Sequence, residues 1–244
     1  MASILLIHGA WHGGWCFDRL VPLLEAKGHR VAAPTLPGMG GTAREVAAAS
    51  LDGWADFIIE QARALPAPVI LCAHSRGGIV ASMAAERAPD AFAALIYLSA
   101  FLLPDGESMT GFIAAHPRNE AFEAGLSAAV RGQALALSAQ AATEAFYGDC
   151  SGEQIAEAAA RLIPEPLAPM NTPVTVSAAQ FGAVPRHYVE CTGDVAIPLA
   201  LQRQMQSVWP CDTVTTLESG HSPFLSMPDQ LAASLQTILE RIEI

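Results

Sequence analysis

The stretch VILCAHSRGGIVASMAAE, residues 69–86, is the most informative part of this sequence. Its apolar run ends abruptly at Ser75, and residues with helical spacing follow. A serine on a sharp turn between a strand and a helix, beside small residues that allow close contact, is typical of a catalytic nucleophile. Ala73 replaces the glycine that usually opens such a motif, but it adds only one methyl group and should fit. Because serine is also a favoured helix N-cap, these residues alone leave open whether Ser75 is a nucleophile or a cap.

Short apolar runs elsewhere in the chain have the length of buried strands. They alternate with longer segments of helical periodicity, which is typical of a mostly parallel sheet with helices on both faces. The predicted strands are 3–7, 29–33, 68–73, 93–99, 186–191 and 213–217. The predicted helices are 15–27, 51–65, 76–88, 198–209 and 228–242. The sequence therefore predicts a six-stranded α/β fold.

The alternation of strands and helices is interrupted once, because residues 104–185 separate two otherwise consecutive strands. That distance is too long for an ordinary crossover. The segment contains helical patterns, such as SGEQIAEAAARLI at 151–163, and it ends in a proline-rich stretch. We interpret it as a helical cap inserted into a core formed by 1–103 and 186–244. The alternative is a set of helices that serve packing alone.

The composition is that of a globular protein with an extensive apolar core. Hydrophobic residues make up 52% of the 244 residues and charged residues 15%. No apolar run approaches the roughly 20 residues that cross a bilayer, and residues 1–11 are expected to form a strand rather than a signal peptide. The formal net charge of -11 disfavours nucleic acid and anionic membranes as partners and favours a neutral small molecule.

The five cysteines show neither a CxxC pair nor a metal-ligand spacing, so no metal site is predicted. They are expected to be reduced thiols, which indicates a reducing, cytoplasmic location. The glycine-rich PGMGG at 37–41 is not interpreted as a phosphate site, because no helix is predicted directly after it and no Gly-Lys-Ser/Thr follows. Nothing in the sequence indicates the oligomeric state.

A serine hydroxyl needs a base, a group that orients the base, and donors for the oxyanion that forms. Asp194 and His221 each follow a predicted strand, in the order nucleophile, acid, base that goes with a serine on such a turn. The carboxyl ends of parallel strands, where open α/β sheets place their sites, would then hold all three side chains. Asp105, after the fourth strand, is the alternative acid. The oxyanion donors are expected to be the backbone N–H groups of Arg76 and of Ala10, in the loop after the first strand.

Four stretches support a more specific interpretation: LIHGAWHGGWCFDRLVPLLEAKGHRVAAPTLPGMG, AHSRGG, CTGDVAIP and SGHSPF. Together they resemble the α/β-hydrolase fold family, in the branch of plant methylesterases, hydroxynitrile lyases and bacterial pyrethroid-hydrolysing carboxylesterases. The resemblance implies Ser75 as nucleophile, His221 as base, Asp194 as orienting acid and the Ala10 and Arg76 amides as oxyanion donors. It implies no cofactor.

The lyases of this branch carry a threonine beside the N-terminal histidine and a lysine directly after the catalytic histidine. This chain has Gly9 and Ser222 at those positions, which favours hydrolysis. The expected function is hydrolysis of a small, largely apolar ester, of aromatic, methyl or pyrethroid type, through an acyl-enzyme. The alternatives are lyase-like or lactone-hydrolysing chemistry, and a non-catalytic ligand-binding protein of the same fold.

Substrate contacts are expected from aromatic side chains in or beside the cap and the catalytic loops, although these side chains could equally form the core of the cap. The Arg76 side chain has two expected partners, a substrate carboxylate or a protein carboxylate such as Glu165, and the sequence does not decide between them. The candidate substrate-binding residues are Trp11, Arg76, Phe112, Phe146, Tyr147, Phe181 and Phe224.

Overall fold

The computed structural model describes residues 1–117 and 119–242, and two sheets organise it. The strands are β1 (Ser3–Ile7), β2 (Arg30–Ala32), β3 (Val69–His74), β4 (Ala94–Leu98), β5 (Leu126–Ala129), β6 (Ala134–Leu137), β7 (Glu165–Pro166), β8 (Arg186–Cys191) and β9 (Thr213–Leu217). Six of them form the central sheet in the order β2-β1-β3-β4-β8-β9, with every neighbouring pair parallel. The predicted six-stranded parallel sheet is therefore confirmed.

Helices connect most of these strands. They are α1 (Val21–Glu25), α2 (Ala43–Ala48), α3 (Leu51–Arg63), α4 (Gly77–Arg87), α5 (Met109–Ala114), α6 (Glu120–Ala124), α7 (Ala139–Phe146), α8 (Gly152–Ala159), α9 (Leu167–Asn171), α10 (Leu199–Val208), α11 (Pro223–Ser226) and α12 (Pro228–Leu239). Short 3-10 helices add Gly14–Phe17, Pro89–Ala91, Val130–Gly132 and Phe181–Ala183. None of the described helices is long and apolar enough to cross a membrane.

Both faces of the central sheet are buried. Along β1, Leu5 and Ile7 belong to one apolar core, and Ile4 and Leu6 belong to the other. α3 and α4 pack against each other over the first core, whereas α1 and α12 contact each other over the second. The central strands β1, β3 and β4 are buried at every position, which is why they consist almost entirely of apolar residues.

The predicted helix at 15–27 is divided in the structure. A 3-10 helix covers Gly14–Phe17, and α1 begins only at Val21. Pro22 lies in the first turn of α1, where its missing N–H would have no intrahelical acceptor. The other four predicted helices correspond to α3, α4, α10 and α12.

Helix α2 corrects one expectation, because it begins two residues after the PGMGG stretch, where the sequence analysis predicts no helix. Thr42 caps it: the Thr42 side chain accepts the Glu45 N–H, and Glu45 Oε2 accepts the Thr42 N–H at 2.7 Å. This capping box is the local signal for the helix. A phosphate site at PGMGG is still not expected, for two reasons. No Gly-Lys-Ser/Thr follows the stretch, and the Glu45 carboxylate occupies the start of the helix, where a phosphate would bind.

The segment at 104–185, predicted as a helical cap, contains α5 to α9 and also a small antiparallel sheet of β5, β6 and β7. The sheet is not predicted, because β5 and β6 are rich in alanine, which is depleted in strands. The turn between them has positive φ at Val130, Arg131 and Gly132. The boundaries between core and cap remain a prediction.

Candidate active site

Ser75 lies on the turn between β3 and α4. Its φ of +53° is in the left-handed region, which is strained for a residue with a side chain. The Ser75 carbonyl oxygen holds the turn by accepting the N–H groups of Gly78 and Phe101, at 3.0 Å each. Only glycine fits at position 78, since a Cβ there would overlap the Phe101 carbonyl oxygen. The chain thus presents a serine on a tight turn at the carboxyl edge of the sheet.

A hydrogen-bonded chain of three side chains meets at this edge. His221 Nε2 lies 3.1 Å from Ser75 Oγ, and His221 Nδ1 lies 2.6 Å from Asp194 Oδ2. Asp194 follows β8 and His221 follows β9, and all three residues are buried. Because His221 Nδ1 faces a carboxylate, it carries the proton, and Nε2 is free to accept the serine proton.

Both oxygens of Asp194 are held in place. Oδ1 accepts the N–H groups of Ala196 and Ile197 at 2.8 and 2.9 Å, and Oδ2 accepts Ser99 Oγ at 2.5 Å. Ser99 follows β4 and is absent from the sequence analysis, although the same rule about strand ends could have found it. The alternative acid, Asp105, instead accepts the Val176 N–H at 2.9 Å and does not contact His221.

A second histidine, His74, supports His221 and is also missed by the sequence analysis. His74 Nε2 donates to the His221 carbonyl oxygen at 2.8 Å, and the two rings lie 4.6 Å apart. Burial lowers the pKa of His74 well below its usual value, so this ring stays neutral beside the base. It is the last residue of β3, next to the serine.

The loop after β1 lies against the Ser75 turn. A Cβ at Gly9 would be 2.9 Å from Ser75 Cβ and 3.0 Å from His74 Nδ1, so the loop approaches as closely as a backbone can. Among the described residues, neither the Ala10 N–H nor the Arg76 N–H donates to a protein acceptor. These are the two backbone donors that the sequence analysis names for an oxyanion.

The Arg76 side chain is fully buried and pairs with Glu165, one of the two partners left open by the sequence. Arg76 Nε lies 2.9 Å from Glu165 Oε1, and Arg76 Nη2 lies 3.4 Å from Glu165 Oε2. The guanidinium also lies 4.4 Å from the centre of the Trp54 ring. Burial lowers the pKa of Arg76 and raises the pKa of Glu165, so desolvation outweighs their mutual attraction.

Two of the predicted aromatic residues lie beside the base. The Phe146 ring is 5.2 Å from the His221 ring, and the Trp11 ring is 5.9 Å from Phe146. Phe122 contacts both, at 5.6 Å from Trp11 and 5.8 Å from Phe146. We call Trp11, Phe122 and Phe146 the aromatic group. Phe122 and Phe146 thus bring apolar surface from the segment at 104–185 next to His221, and Trp11 adds to it from the loop after β1.

Four other predicted substrate contacts are placed differently. The Tyr147 hydroxyl is 2.7 Å from His12 Nε2, and Phe224 packs 4.8 Å from His74, below the base. Phe112 packs against Phe101 and His116. Phe181 lies away from the site. It precedes β8, at the amino ends of the strands, and packs against Trp209 and Arg186. The remaining prediction, a substrate contact by the Arg76 side chain, conflicts with its burial against Glu165.

A cleft of about 460 Å³ opens on the far side of His221. Residues from the segment at 104–185, among them Glu144 and Asp149, form one wall. The other wall consists of loop residues after β8 and β9, including Gly193 and Gly220. The Gly220 N–H donates to Asp149 Oδ2 at 2.7 Å and so ties the two walls together.

Residues 4–234 match the sequence profile of the alpha/beta hydrolase family. The chain belongs to the alpha/beta hydrolase family. The family and fold expected from the sequence are therefore confirmed.

Relatives within this family align over almost the whole chain. The pyrethroid hydrolase of Sphingobium wenxiniae is 34% identical over 96% of this chain and 86% of its own length. Salicylic acid-binding protein 2 of Nicotiana tabacum is 30% identical over 97% of this chain and 96% of its own. The crystal structure of a pyrethroid hydrolase from Sphingobium faniae superposes with a TM-score of 0.86 at 31% identity, covering 98% of both chains.

Proposed function

We propose that this chain is a serine carboxylic ester hydrolase that acts through an acyl-enzyme. The observation that supports this most strongly is the continuous hydrogen-bonded chain from Ser75 Oγ through His221 to Asp194. A named pyrethroid hydrolase among its relatives supports the same activity. The strained turn at Ser75 adds to this support, because such strain at a buried serine is typical of a functional site.

In the proposed mechanism His221 Nε2 takes the Ser75 proton while Oγ attacks the ester carbonyl carbon. The carbonyl oxygen becomes an oxyanion, which accepts the backbone N–H groups of Ala10 and Arg76. The C–O bond to the alcohol then breaks, and His221 returns the proton to the leaving alkoxide. Water, deprotonated by His221, attacks the acyl-enzyme and releases the acid together with the regenerated serine.

Asp194 is proposed to hold His221 in the required tautomer and to stabilise the imidazolium that forms. Its hydrogen bonds with Ser99, Ala196 and Ile197 fix the carboxylate on the imidazole. These contacts keep the carboxylate directed at the imidazole during both halves of the reaction.

The proposed substrate is a small, uncharged ester with an apolar group of aromatic, methyl or pyrethroid type. The aromatic group beside His221 supports this, as does the net charge of -11, which disfavours anionic substrates. The Arg76 guanidinium already has Glu165 as counter-ion and is not proposed to bind a substrate carboxylate.

Residues 104–185 are proposed to cap the site. The location is proposed to be a reducing, cytoplasmic one, which the five free cysteines support.

The proposal is tested with Ser75→Ala and Asp194→Asn on methyl, aryl and pyrethroid-type esters. We expect Ser75→Ala to reduce kcat below about one per cent of wild type, because it removes the hydroxyl that lies 3.1 Å from His221 Nε2. Asp194→Asn should reduce kcat about 10⁴-fold, as the same change does in serine proteases. Glu153→Ala, a change at an exposed position in the first turn of α8, serves as a control. Substantial turnover by Ser75→Ala would contradict the proposal.

A further inference from the structure

We propose that the Arg76 side chain and Glu165 are positioning residues that fix and polarise the backbone donor at Ala10. This inference rests on the proposed function, since it concerns the hole that would hold the oxyanion. Arg76 would then serve both donors: its own N–H is one of them, and its side chain acts on the other. The argument starts from the peptide group that Gly9 and Ala10 share.

The Gly9 carbonyl belongs to the same peptide group as the Ala10 N–H. Its oxygen lies 3.1 Å from Arg76 Nη2 and 2.8 Å from His8 Nδ1. His8 Nε2 accepts the Leu36 N–H at 3.1 Å, so Nδ1 carries the ring proton and donates to Gly9. Two donors on one carbonyl, one of them cationic, withdraw electron density from the peptide and strengthen its N–H as a donor.

Glu165 holds the next peptide along the loop. Its Oε2 accepts the Trp11 N–H at 3.0 Å while Oε1 faces Arg76 Nε at 2.9 Å. The ion pair therefore contacts the peptides on both sides of Ala10, one at its carbonyl oxygen and the other at its N–H. These contacts restrict the rotation of the Ala10 N–H in both directions.

The backbone at Trp11 needs such support, because its φ of +59° is in the left-handed region. The Trp11 carbonyl oxygen accepts the Ile163 N–H at 2.8 Å, and Trp11 Nε1 donates to the Leu135 carbonyl oxygen at 2.9 Å. Ile163, Leu135 and Glu165 all belong to the segment at 104–185. This segment thus sets the conformation of a loop in the core as well as contributing apolar surface.

A role in stability alone does not explain this ion pair. Both side chains are completely buried, and a buried pair often stabilises a fold no better than apolar residues of similar volume. Apolar residues could fill this space beside Trp54, but they could not hydrogen-bond to the Gly9 carbonyl oxygen or the Trp11 N–H. The contacts that only the charged pair can make are those on the Ala10 loop.

The double variant Arg76→Met/Glu165→Leu separates the two roles. We expect its melting temperature to change little, because removing both desolvated charges together offsets the loss of the acceptor for the Trp11 N–H. We expect kcat to fall at least about tenfold with KM changed less than about twofold, since the loss is confined to the transition state. The control is Arg19→Met/Glu157→Leu, which removes an exposed ion pair, at 3.1 Å, between the core and the segment at 104–185.

An aryl trifluoromethyl ketone provides a second readout. Ser75 Oγ adds to its carbonyl carbon, the hydroxyl proton goes to His221, and the resulting hemiketal oxyanion occupies the hole without a leaving group. Its inhibition constant should rise by the same factor as kcat falls in the double variant. Arg76→Met/Glu165→Gln, which removes both charges but keeps an acceptor for the Trp11 N–H, should show a smaller change in the same direction and serves if the first double variant does not fold.

Wild-type kcat and inhibitor affinity in the folded double variant, or in Arg76→Met/Glu165→Gln if only that variant folds, would overturn the inference. Equal losses in the double variant and the Arg19/Glu157 control would also overturn it, because they would indicate a general effect on the attachment of the segment. Ser75→Ala, measured alongside, tests the proposed function separately: turnover in that variant would remove the basis of both proposals, whereas the other outcomes concern the ion pair alone.

Discussion

Gly9 lies at the closest contact between the loop after β1 and the Ser75 turn. A Cβ at this position would be 2.9 Å from Ser75 Cβ and 3.0 Å from His74 Nδ1, closer than side chains normally approach. We therefore expect Gly9→Ala to displace the loop or the nucleophile and to reduce kcat by tenfold or more, as misplacement by about 1 Å can cost about 10²-fold. Steady-state kinetics on an aryl ester measures this effect.

The matched control is Gly152→Ala, at the start of α8, where an added Cβ meets nothing within 4 Å. This variant should keep the wild-type kcat and a melting temperature at least as high as that of wild type. If Gly9→Ala were as active as Gly152→Ala, the close approach of the loop to the nucleophile would play no part in catalysis.

At the scale of single residues, the sequence identifies the functional side chains that directly follow a predicted strand. Ser75, Asp194 and His221 are brought together because each follows a strand of one parallel sheet, so topology alone places them at the same edge. Glu165 could be named only as one of two partners for Arg76, because the two residues are 89 positions apart and no local pattern links them. The side chain that pairs with a buried charge is decided by tertiary packing.

At the scale of elements, all six strands of the central sheet are predicted, because apolar and β-branched residues mark each of them. The ranges 3–7, 186–191 and 213–217 agree with the structure at both ends, and the last of these is the half-exposed edge strand β9. β2, at the edge of the sheet, is shorter than predicted. β5 and β6 escape prediction because alanine-rich strands form there through pairing with each other, not through intrinsic preference.

Helix boundaries depend on capping contacts that the apolar pattern does not show. α2 has only one buried residue, Val46, and therefore little apolar periodicity, but Thr42 and Glu45 form a capping box at its start. The same reasoning explains the divided segment at 15–27, where α1 begins only shortly before Pro22. Considering N-caps and prolines before apolar periodicity would improve the predicted starts of both helices.

At the scale of the whole molecule, three buried histidines predict how stability changes with pH. Burial lowers the pKa of His8 and of His74 well below the usual value and lowers the pKa of His12 to about 4. Between pH 6.5 and about 4 the unfolded chain binds a proton at each of these sites and the native state does not. The free energy of unfolding should therefore fall as the pH decreases, by about 2 kcal/mol per histidine between pH 7 and pH 5.

The raised pKa of Glu165 acts in the opposite direction, since its contribution is lost as pH rises through the native pKa, but it is one group against these three histidines and His187, whose pKa burial also lowers. Urea unfolding at pH 7, 6 and 5 measures the trend. In His12→Gln, whose amide can still hydrogen-bond to the Ala10 carbonyl oxygen and Tyr147, the slope should be smaller, because one of these contributions is removed. A free energy of unfolding that is constant between pH 7 and pH 5 would contradict the neutral state of these histidines.

The proposed mechanism requires Ser75 as its single nucleophile. Peptide mass spectrometry after reaction with an alkyl fluorophosphonate can locate the phosphonyl group, which forms a bond to Oγ as fluoride leaves. We expect one phosphonyl group per chain, on Ser75 within residues 69–86, with activity lost in proportion to labelling and no label on Ser75→Ala. Full ester turnover by protein labelled stoichiometrically at Ser75 would contradict it, as would loss of activity through a label on another residue.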